Sequence, residues 1–157
     1  MANDRWRTPI NVFRRLEREM GITFTLDPCT SEDNPLNTPK FYTKEDDGLS
    51  KSWCGECVFM NPPYSRKNID KWVKKANMEA NEQTLVVGLL PLRTANWFKN
   101  YILPKGKIIR DLEEWQDLER GECGIFFWES RMRFIDPDTG VRVKQSPTWD
   151  TIIVVWV

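Results

Sequence analysis

The strongest constraint on the fold is a buried strand, an amphipathic helix and a second buried strand that follow one another along the chain. Residues 58–60 (Val-Phe-Met) form the first apolar run, and residues 84–90 form the second, which Pro91 closes. Between them, apolar side chains recur at helical spacing at Ile69, Trp72, Val73, Ala76 and Ala80. A helix between two buried strands is typical of a parallel crossover. We therefore expect an α/β domain whose sheet is parallel at its centre.

The chain before this unit predicts a helix and a short strand. Thr8 is placed to cap a helix with Pro9 at its first position, and apolar residues at helical spacing continue until Gly21 ends it. Residues 22–26 alternate β-branched and apolar side chains before a turn at Asp27, as in a strand that leads into a loop. We therefore expect a third strand of the same sheet, which ends at Asp27.

The chain beyond Pro91 has a more mixed pattern. Thr94 is placed to cap a short helix, and residues 103–124 are rich in charge, which fits either a helical excursion or a flexible insertion. Three later segments predict strands: 125–128, 132–135 and 151–157. We expect the sheet to end in an antiparallel C-terminal hairpin, with residues 1–157 forming one compact domain.

The composition limits the chemistry and the partners. A chain of 157 residues is long enough for one well-buried core, and its 23 basic and 23 acidic residues cancel. Any nucleic-acid binding must therefore use local basic clusters. The absence of histidine excludes mechanisms that need an imidazole. Most of the eight tryptophans are expected in the core, with Trp6 and Trp97 as candidates for a role in a pocket.

The four cysteines indicate a reducing compartment. Without a secretory leader or an apolar stretch long enough to cross a bilayer, we expect a soluble cytoplasmic protein with no membrane partner. Cys54 and Cys57 form a CxxC pair that Cys29 and Cys123 could complete as a zinc site. The second pair lacks that spacing, so we expect packed or free thiols and no metal.

The tetrapeptide Asn61, Pro62, Pro63 and Tyr64 follows the first buried strand directly. The two prolines fix their own backbone, remove two donors and bias Asn61 toward an extended conformation. The Asn61 side-chain oxygen and nearby carbonyls are then acceptors for a planar amine, and Tyr64 offers a face for stacking. Alternatively, the prolines only terminate the strand and Tyr64 belongs to the core.

Polar residues follow the ends of successive predicted strands, at Asp27, Asp47, Asn61 and Arg93. Carboxyl ends of parallel strands line one crevice, which is where open α/β sheets bind ligands. A carboxylate at Asp27 could receive an ammonium group, and one at Asp47 could accept from an adenine amino group, so a nucleoside ligand would suit them. The alternative is that both aspartates only begin turns.

These residues resemble the small phage-type DNA N6-adenine methyltransferases (Dam-like). The tetrapeptide is similar to the catalytic motif of methyltransferases that act on amino groups with S-adenosylmethionine. The similarity continues in family order through most of the chain apart from residues 103–124: Trp6, Thr8 and Pro9; residues 26–28; residues 47–49 and Trp53; residues 58–65; Trp72, Val73 and Ala76; residues 89–98; and Arg131, Arg133 and Phe134. The resemblance implies a Rossmann-like class I methyltransferase sheet.

The resemblance also implies roles for individual residues. The cofactor S-adenosylmethionine would contact Thr8, Pro9, Asp27, Pro28, Cys29, Asp47 and Asn61. The target adenine, flipped out of double-stranded DNA, would be held by Asn61, Pro62, Pro63 and Tyr64. The implied protein acts as a monomer or homodimer in the cytoplasm of a bacterial host cell.

Basic residues near these motifs are candidates to neutralise DNA phosphates. The start and outer face of the helix after Tyr64 carry Arg66, Lys67, Lys71, Lys74 and Lys75. Other segments near predicted strand ends carry Arg93, Arg131, Arg133, Arg142 and Lys144, of which Lys144 lies outside the residues that the structure describes. A solvated helix face is the alternative for the lysines.

Two rival functions fit the tetrapeptide. Another planar amine, in an RNA base or a protein glutamine, could occupy the same acceptors. A DNA-binding relative that has lost turnover is the second rival, against which the intact Asp27, Asp47, Asn61 and Tyr64 argue.

Overall fold

The structure, a computed structural model, describes residues 6–143 and 149–157, which build a seven-stranded mixed sheet with helices against it. The strands are β1 (Leu26–Asp27), β2 (Lys40–Phe41), β3 (Cys57–Met60), β4 (Leu85–Pro91), β5 (Gly106–Ile108), β6 (Cys123–Phe127) and β7 (Thr151–Trp156). The α-helices are α1 (Ile10–Met20), α2 (Arg66–Glu79) and α3 (Asn96–Tyr101). Short 3₁₀ turns cover Gly48–Ser50, Leu103–Lys105 and Leu112–Asp117.

The direction of the strands decides which loops meet. The order across the sheet is β2-β1-β3-β4-β7-β6-β5, and β7 is antiparallel to both of its neighbours. The other pairs are parallel, so β6 runs in the same direction as β4. The carboxyl ends of β1, β3, β4 and β6 therefore share one edge of the sheet with the amino end of β7. We call this the carboxyl edge.

This architecture confirms the predicted fold class. The crossover from β3 through α2 to β4 joins parallel neighbours, as expected. The predicted C-terminal hairpin is an antiparallel pair, β6 and β7, joined by a long connection and not by a tight turn. The result is a compact Rossmann-like α/β domain.

The core lies on both faces of the central strands. All six residues of β7 are buried, as are six of the seven in β4, which explains why their sequences are continuous apolar runs. Helix α1 covers one face with Val12, Phe13, Leu16 and Met20. Phe13, Phe24 and Phe59 form an aromatic cluster with ring centroids 5.1–5.3 Å apart.

The predicted helix caps are wrong. Helix α1 begins at Ile10 with Pro9 at the N-cap position, and no side chain caps it. The hydroxyl of Thr8 accepts a hydrogen bond from the tetrapeptide instead, as described below. Helix α3 begins after Ala95, and Thr94 does not cap it. The predicted end of α1 is correct, since Gly21 adopts the left-handed conformation with φ of 67°.

Two predicted strands differ from the structure. The strand expected over 22–26 is reduced to Leu26–Asp27, although the backbone of Thr25 still bonds to both neighbouring segments. Residues 132–135 form no strand. Only Ile135 pairs there, in isolated bridges to Arg7 and Arg142.

Residues 103–124 are part of the fold. They supply β5 at the edge of the sheet and a 3₁₀ turn whose Leu112 is buried. The indole nitrogen of Trp115 donates to the carbonyl of Met20 at 2.8 Å, which ties this segment to the end of α1. Within the described ranges, no helix combines the length and the apolar character needed to cross a membrane.

Candidate active site

A cleft of about 490 Å³ opens at the carboxyl edge, above β1 and β3. Its size falls in the range of about 300–1,000 Å³ that is usual for small-molecule sites. Residues predicted for the cofactor or for catalysis contribute to its wall, namely Thr8, Asp27, Pro28, Cys29, Asp47, Asn61 and Pro63. The structure therefore brings together segments that are far apart in the sequence.

Asn61 is held from its amide side. Its Nδ2 donates to Thr8 Oγ1 at 3.0 Å and to the carbonyl of Trp6 at 3.5 Å. These contacts use the donors of the amide and leave Oδ1 without a donor among the described residues. The segment before α1 thus fixes the orientation in which Asn61 presents an acceptor.

The two prolines leave a second acceptor beside Asn61. No described donor reaches the carbonyl of Pro62, whereas the carbonyl of Asn61 accepts from the thiol of Cys29 at 3.4 Å. The carbonyl of Tyr64 accepts from Arg93 at 3.1 Å. The loop can therefore offer two acceptors, Asn61 Oδ1 and the Pro62 carbonyl, to one amino group.

The side chain of Tyr64 points into the core and does not line the cleft. Its side chain is 5% exposed, and its hydroxyl donates to the carbonyl of Leu89 at 2.7 Å. Its ring makes edge contacts with Phe134 and Trp149, each at 6.1 Å between centroids. Burial raises the pKa of the Tyr64 hydroxyl well above its usual value, so the group stays protonated.

Asp27 is a buried carboxylate at the base of the cleft. It accepts hydrogen bonds from the backbone of Cys29 and from the side chain of Thr30, and no described cation pairs with it. Burial raises its pKa to about 7, an effect that the two hydrogen bonds offset only in part. The neighbouring thiol of Cys29 also has its pKa raised well above normal, by burial and then by the charge of Asp27. The cleft therefore has an acidic site that a ligand cation would satisfy.

Asp47 reaches the cleft because its loop packs closely against the loop that contains Pro28. Asp47 itself adopts the left-handed conformation with φ of 56°, which is uncommon for a residue other than glycine. At Gly48, a Cβ atom would stand 2.0 Å from the carbonyl oxygen of Pro28, so only glycine fits there. The carbonyl of Gly48 accepts from the buried indole nitrogen of Trp53 at 3.0 Å. This packing sets the exposed Asp47 in the wall of the cleft that Asn61 also lines.

Known proteins resemble this chain over most of its length. The family model for DNA N-6-adenine-methyltransferase (Dam) matches residues 1–157, which includes the segment 103–124. The chain belongs to the Dam family. The DNA N-6-adenine-methyltransferase of Escherichia phage T1 is 32% identical over 159 aligned residues, covering 98% of this chain. That of Haemophilus phage HP1 is 30% identical over 145 residues, covering 91%.

The relatives are longer than this member of the Dam family. The chain spans 63% of the length of the phage T1 protein and 73% of the phage HP1 protein. The matched part contains both the cleft and the tetrapeptide of this chain.

Two other predicted site residues of this Dam family member lie apart from the cleft lining. Pro62 is buried within the loop. Pro9 borders a second groove of about 240 Å³, which Arg15, Trp128, Glu129, Arg131, Arg133 and Arg142 also line. The predicted DNA-binding residues Arg131 and Arg133 therefore share one location.

The remaining predicted DNA-binding residues have different surroundings. Arg66 and Lys67 are exposed at the start of α2, directly after the tetrapeptide. Arg93 is half-buried, donates to the Tyr64 carbonyl and lies over the ring of Trp149, with its guanidinium carbon 5.1 Å from the centroid. Its contacts show a role in holding the loop.

Some cleft residues were not predicted from the sequence. Arg7, Lys44, Phe59, Asn68 and Trp72 line it. The sequence placed Phe59 in a strand and Trp72 in a helix, and it pointed to no pocket role for the other three. Trp6 lines the cleft as anticipated, whereas Trp97 is 3% exposed and lies in the core. The sequence located cleft residues only through the predicted ends of strands. That signal does not find residues such as Trp72, which reaches the cleft from helix α2.

The cysteines are unpaired thiols in this structure. In the described part of the chain, no group of three or more cysteine and carboxylate side chains has a geometry that could hold a metal ion. Cys29 and Cys57 are half-buried, Cys54 is exposed and Cys123 is buried.

Proposed function

We propose that this protein transfers a methyl group from S-adenosylmethionine to the N6 amino group of adenine in DNA. Membership of the Dam family supports the reaction. The observation that carries the proposal is the pair of acceptors on Asn61 and Pro62, fixed beside a nucleoside-sized cleft.

The residues of the cleft fit the cofactor. Asp27 is a buried carboxylate without a described cationic partner, and the ammonium group of a methionine moiety would supply one. Asp47 also lines the cleft and would be an acceptor for an amino or hydroxyl group of the nucleoside. Leu36 and Trp72 give the cleft lining an apolar part for the adenine ring. When bound, S-adenosylmethionine would supply an electrophilic methyl group on its sulfonium.

The chain's own contribution to catalysis is positioning and polarisation. Asn61 Oδ1 and the Pro62 carbonyl would accept the two hydrogens of the target amine and aim its lone pair toward the cleft. Because accepting these hydrogens raises the electron density on nitrogen, no strong base would be needed before the transfer, and the positively charged nitrogen would lose one proton to solvent afterwards. A chain without histidine can perform this reaction.

The target base must leave the duplex to reach acceptors in a recessed loop. Tyr64 would provide a stacking face only after the ring of Trp149 moves aside, since Tyr64 is 5% exposed and the two rings are in contact. Arg66, Lys67, Arg131 and Arg133 would then face phosphates of the duplex. We propose that the protein acts on double-stranded DNA in a bacterial host cell, as a monomer or homodimer.

The test is methyl transfer from tritium-labelled S-adenosylmethionine to unmethylated duplex DNA, with the labelled nucleoside identified after digestion. The wild type should label N6 of adenine, and Asn61→Ala should lower the rate by about 10²- to 10³-fold because one acceptor is lost. Asn100→Ala is the matched control, since Asn100 is an exposed residue of α3.

The alternatives give different labels. Label on RNA or on protein, and none on DNA, would show that the acceptors hold another planar amine. DNA binding without any label would show a binding protein without turnover. Either result overturns the proposed function.

A further inference from the structure

The second groove lies on the same edge of the sheet as the cleft. The carboxyl end of β6 leads into Trp128 on one wall, and the first turns of α1 form the other. Three strand spacings separate β6 from β3, which carries Asn61, and this corresponds to about 14 Å. The two sites also share a connection, because Arg7 in the cleft wall pairs with Ile135, which pairs in turn with Arg142.

The groove concentrates positive charge in a chain whose net charge is zero. Among the described residues that line it are four arginines, Arg15, Arg131, Arg133 and Arg142, and one acid, Glu129. Two further acids, Glu19 and Asp150, pair with Arg15 and Arg131 from outside the lining. Guanidinium groups bind phosphate oxygens through pairs of donors, and a cluster of them is therefore suited to a polyanion.

The arginines of the groove differ in the ion pairs that they form with acidic side chains. Arg15 forms ion pairs with Glu19 and Glu129 while its guanidinium lies over Trp128, 4.4 Å from the ring centroid. Arg131 has Asp150 at 3.6 Å. Arg142 is exposed, and no described acid lies within ion-pair distance of it. Its backbone is nevertheless fixed by the bridge to Ile135.

We propose that the second groove binds the phosphodiester backbone of DNA roughly four base pairs from the target adenine, given the rise of about 3.4 Å per base pair. Arg142 contacts phosphate directly. Glu129 opposes the binding, because it neutralises Arg15 at the same site. The identity of the partner as DNA rests on the proposed function, whereas the charge arrangement does not.

The test uses two substitutions with opposite expected signs. Binding of a fluorescein-labelled duplex of randomised sequence to the full chain is followed by anisotropy over a series of salt concentrations. Arg142→Gln should weaken binding about two- to fivefold and reduce the slope of log K against log salt by about 0.9, the value for one phosphate. Glu129→Gln should tighten binding by a similar factor, and Arg142→Lys should retain most of the slope.

The matched controls lie at the opposite edge of the sheet. Arg120 precedes β6 and donates to the carbonyl of Asn81 before β4, and the exposed Glu82 is next to Asn81. Arg120→Gln and Glu82→Gln should leave the affinity and the salt slope unchanged. Equal effects of the groove and control substitutions would show only a change in net charge and would overturn the proposal, as would a loss of affinity in Glu129→Gln.

The outcome is separate from that of the methylation assay, because anisotropy requires neither cofactor nor turnover. If the wild type methylates adenine while Arg142→Gln and Glu129→Gln bind like the wild type, the groove proposal fails and the proposed function stands. If the wild type labels no DNA but the two variants shift binding in opposite directions, the groove proposal stands and the proposed function fails.

Discussion

The two halves of the sheet are built differently. On one side, β4, β6 and β7 contain five to seven residues each, and β4 and β7 are buried almost throughout. We call these strands the scaffold half. On the other side, β1 and β2 contain two residues each and β3 contains four, so that loops form most of the surface. We call this the site half.

The difference shows how the protein separates stability from chemistry. The scaffold half gains its stability from apolar burial, which does not depend on any one polar contact. The site half includes an unpaired buried carboxylate and a left-handed aspartate, both of which cost stability and both of which line the cleft. Substitutions in the two halves should therefore have different effects.

The largest effect is expected from the carboxylate of Asp27 in the site half. Its pKa is 3.8 in the unfolded chain and about 7 in the folded protein, so the folded state retains a proton that the unfolded chain loses. The free energy of unfolding should fall as pH rises from about 4 to about 7, by at most about 4 kcal/mol, and change little from this group above pH 7. Urea unfolding as a function of pH measures this.

Asp27→Asn is the comparison for that measurement. It should remove most of the fall in stability between pH 4 and pH 7 and weaken S-adenosylmethionine binding at pH 8, since the ammonium group loses its partner. In the wild type, binding near pH 6 should release protons, which calorimetry in buffers of different ionisation enthalpy detects. A stability that is independent of pH over this range would contradict the assignment.

Ile153→Ala tests the scaffold half. Ile153 in β7 is fully buried between Leu89 of β4 and Phe126 of β6, and the substitution should cost about 2–5 kcal/mol of unfolding free energy. The rate of methyl transfer at low temperature should be unchanged in the folded fraction. A variant with normal unfolding free energy but a reduced rate of methyl transfer would contradict the assignment of stability to the scaffold half and chemistry to the site half.

Gly48→Ala tests the packing of the two cleft loops. The added Cβ would stand 2.0 Å from the Pro28 carbonyl oxygen, so the loops must separate, at a cost of about 1–3 kcal/mol. Cofactor affinity should fall together with stability. Gly121→Ala is the control, because Gly121 has φ of 89° but no atom within 4 Å of its Cβ position and lies away from the cleft. It should lower stability through backbone strain and leave the affinity unchanged.

Tyr64→Phe tests the link between the halves. The hydroxyl of Tyr64 donates to Leu89 in β4, and its loss should cost about 1 kcal/mol. The tetrapeptide should become less well positioned, so kcat should decrease while KM for the cofactor stays the same. A variant with normal kcat would show that the bond contributes to stability alone.

Periodicity in the sequence was sufficient to predict most of the scaffold. Helices α1 and α2 and strands β4 and β7 have long apolar patterns set by the core that they face, and the shorter strand β3 has an apolar run of three residues. The short strand β5 was not predicted, because it has three residues and its Ile108 is 69% exposed. Its position depends on pairing with β6, about 17 residues further along the chain, and a local sequence pattern does not report that pairing.

The candidate site was predictable in part. The ends of β1 and β3 correctly located Asp27 and Asn61 in one cleft, because parallel strands end at a common edge. The sequence left open whether Tyr64 is a stacking face or part of the core, and the structure buries it. The sequence could not decide this, since the burial depends on rings at Phe134 and Trp149 that lie far along the chain. For the same reason the sequence suggested Thr8 as a helix cap, whereas its hydroxyl bonds to Asn61.

Residues 6–8 fix the orientation of Asn61 but contribute no strand to the sheet. A chain that began at Pro9 would keep every strand pair, but the Asn61 amide nitrogen would lose Thr8 and Trp6, the hydrogen-bond partners that lie 53 and 55 residues before it in the sequence. We expect such a truncated chain to keep its sheet and to lose the contacts that fix the orientation of the Asn61 side chain.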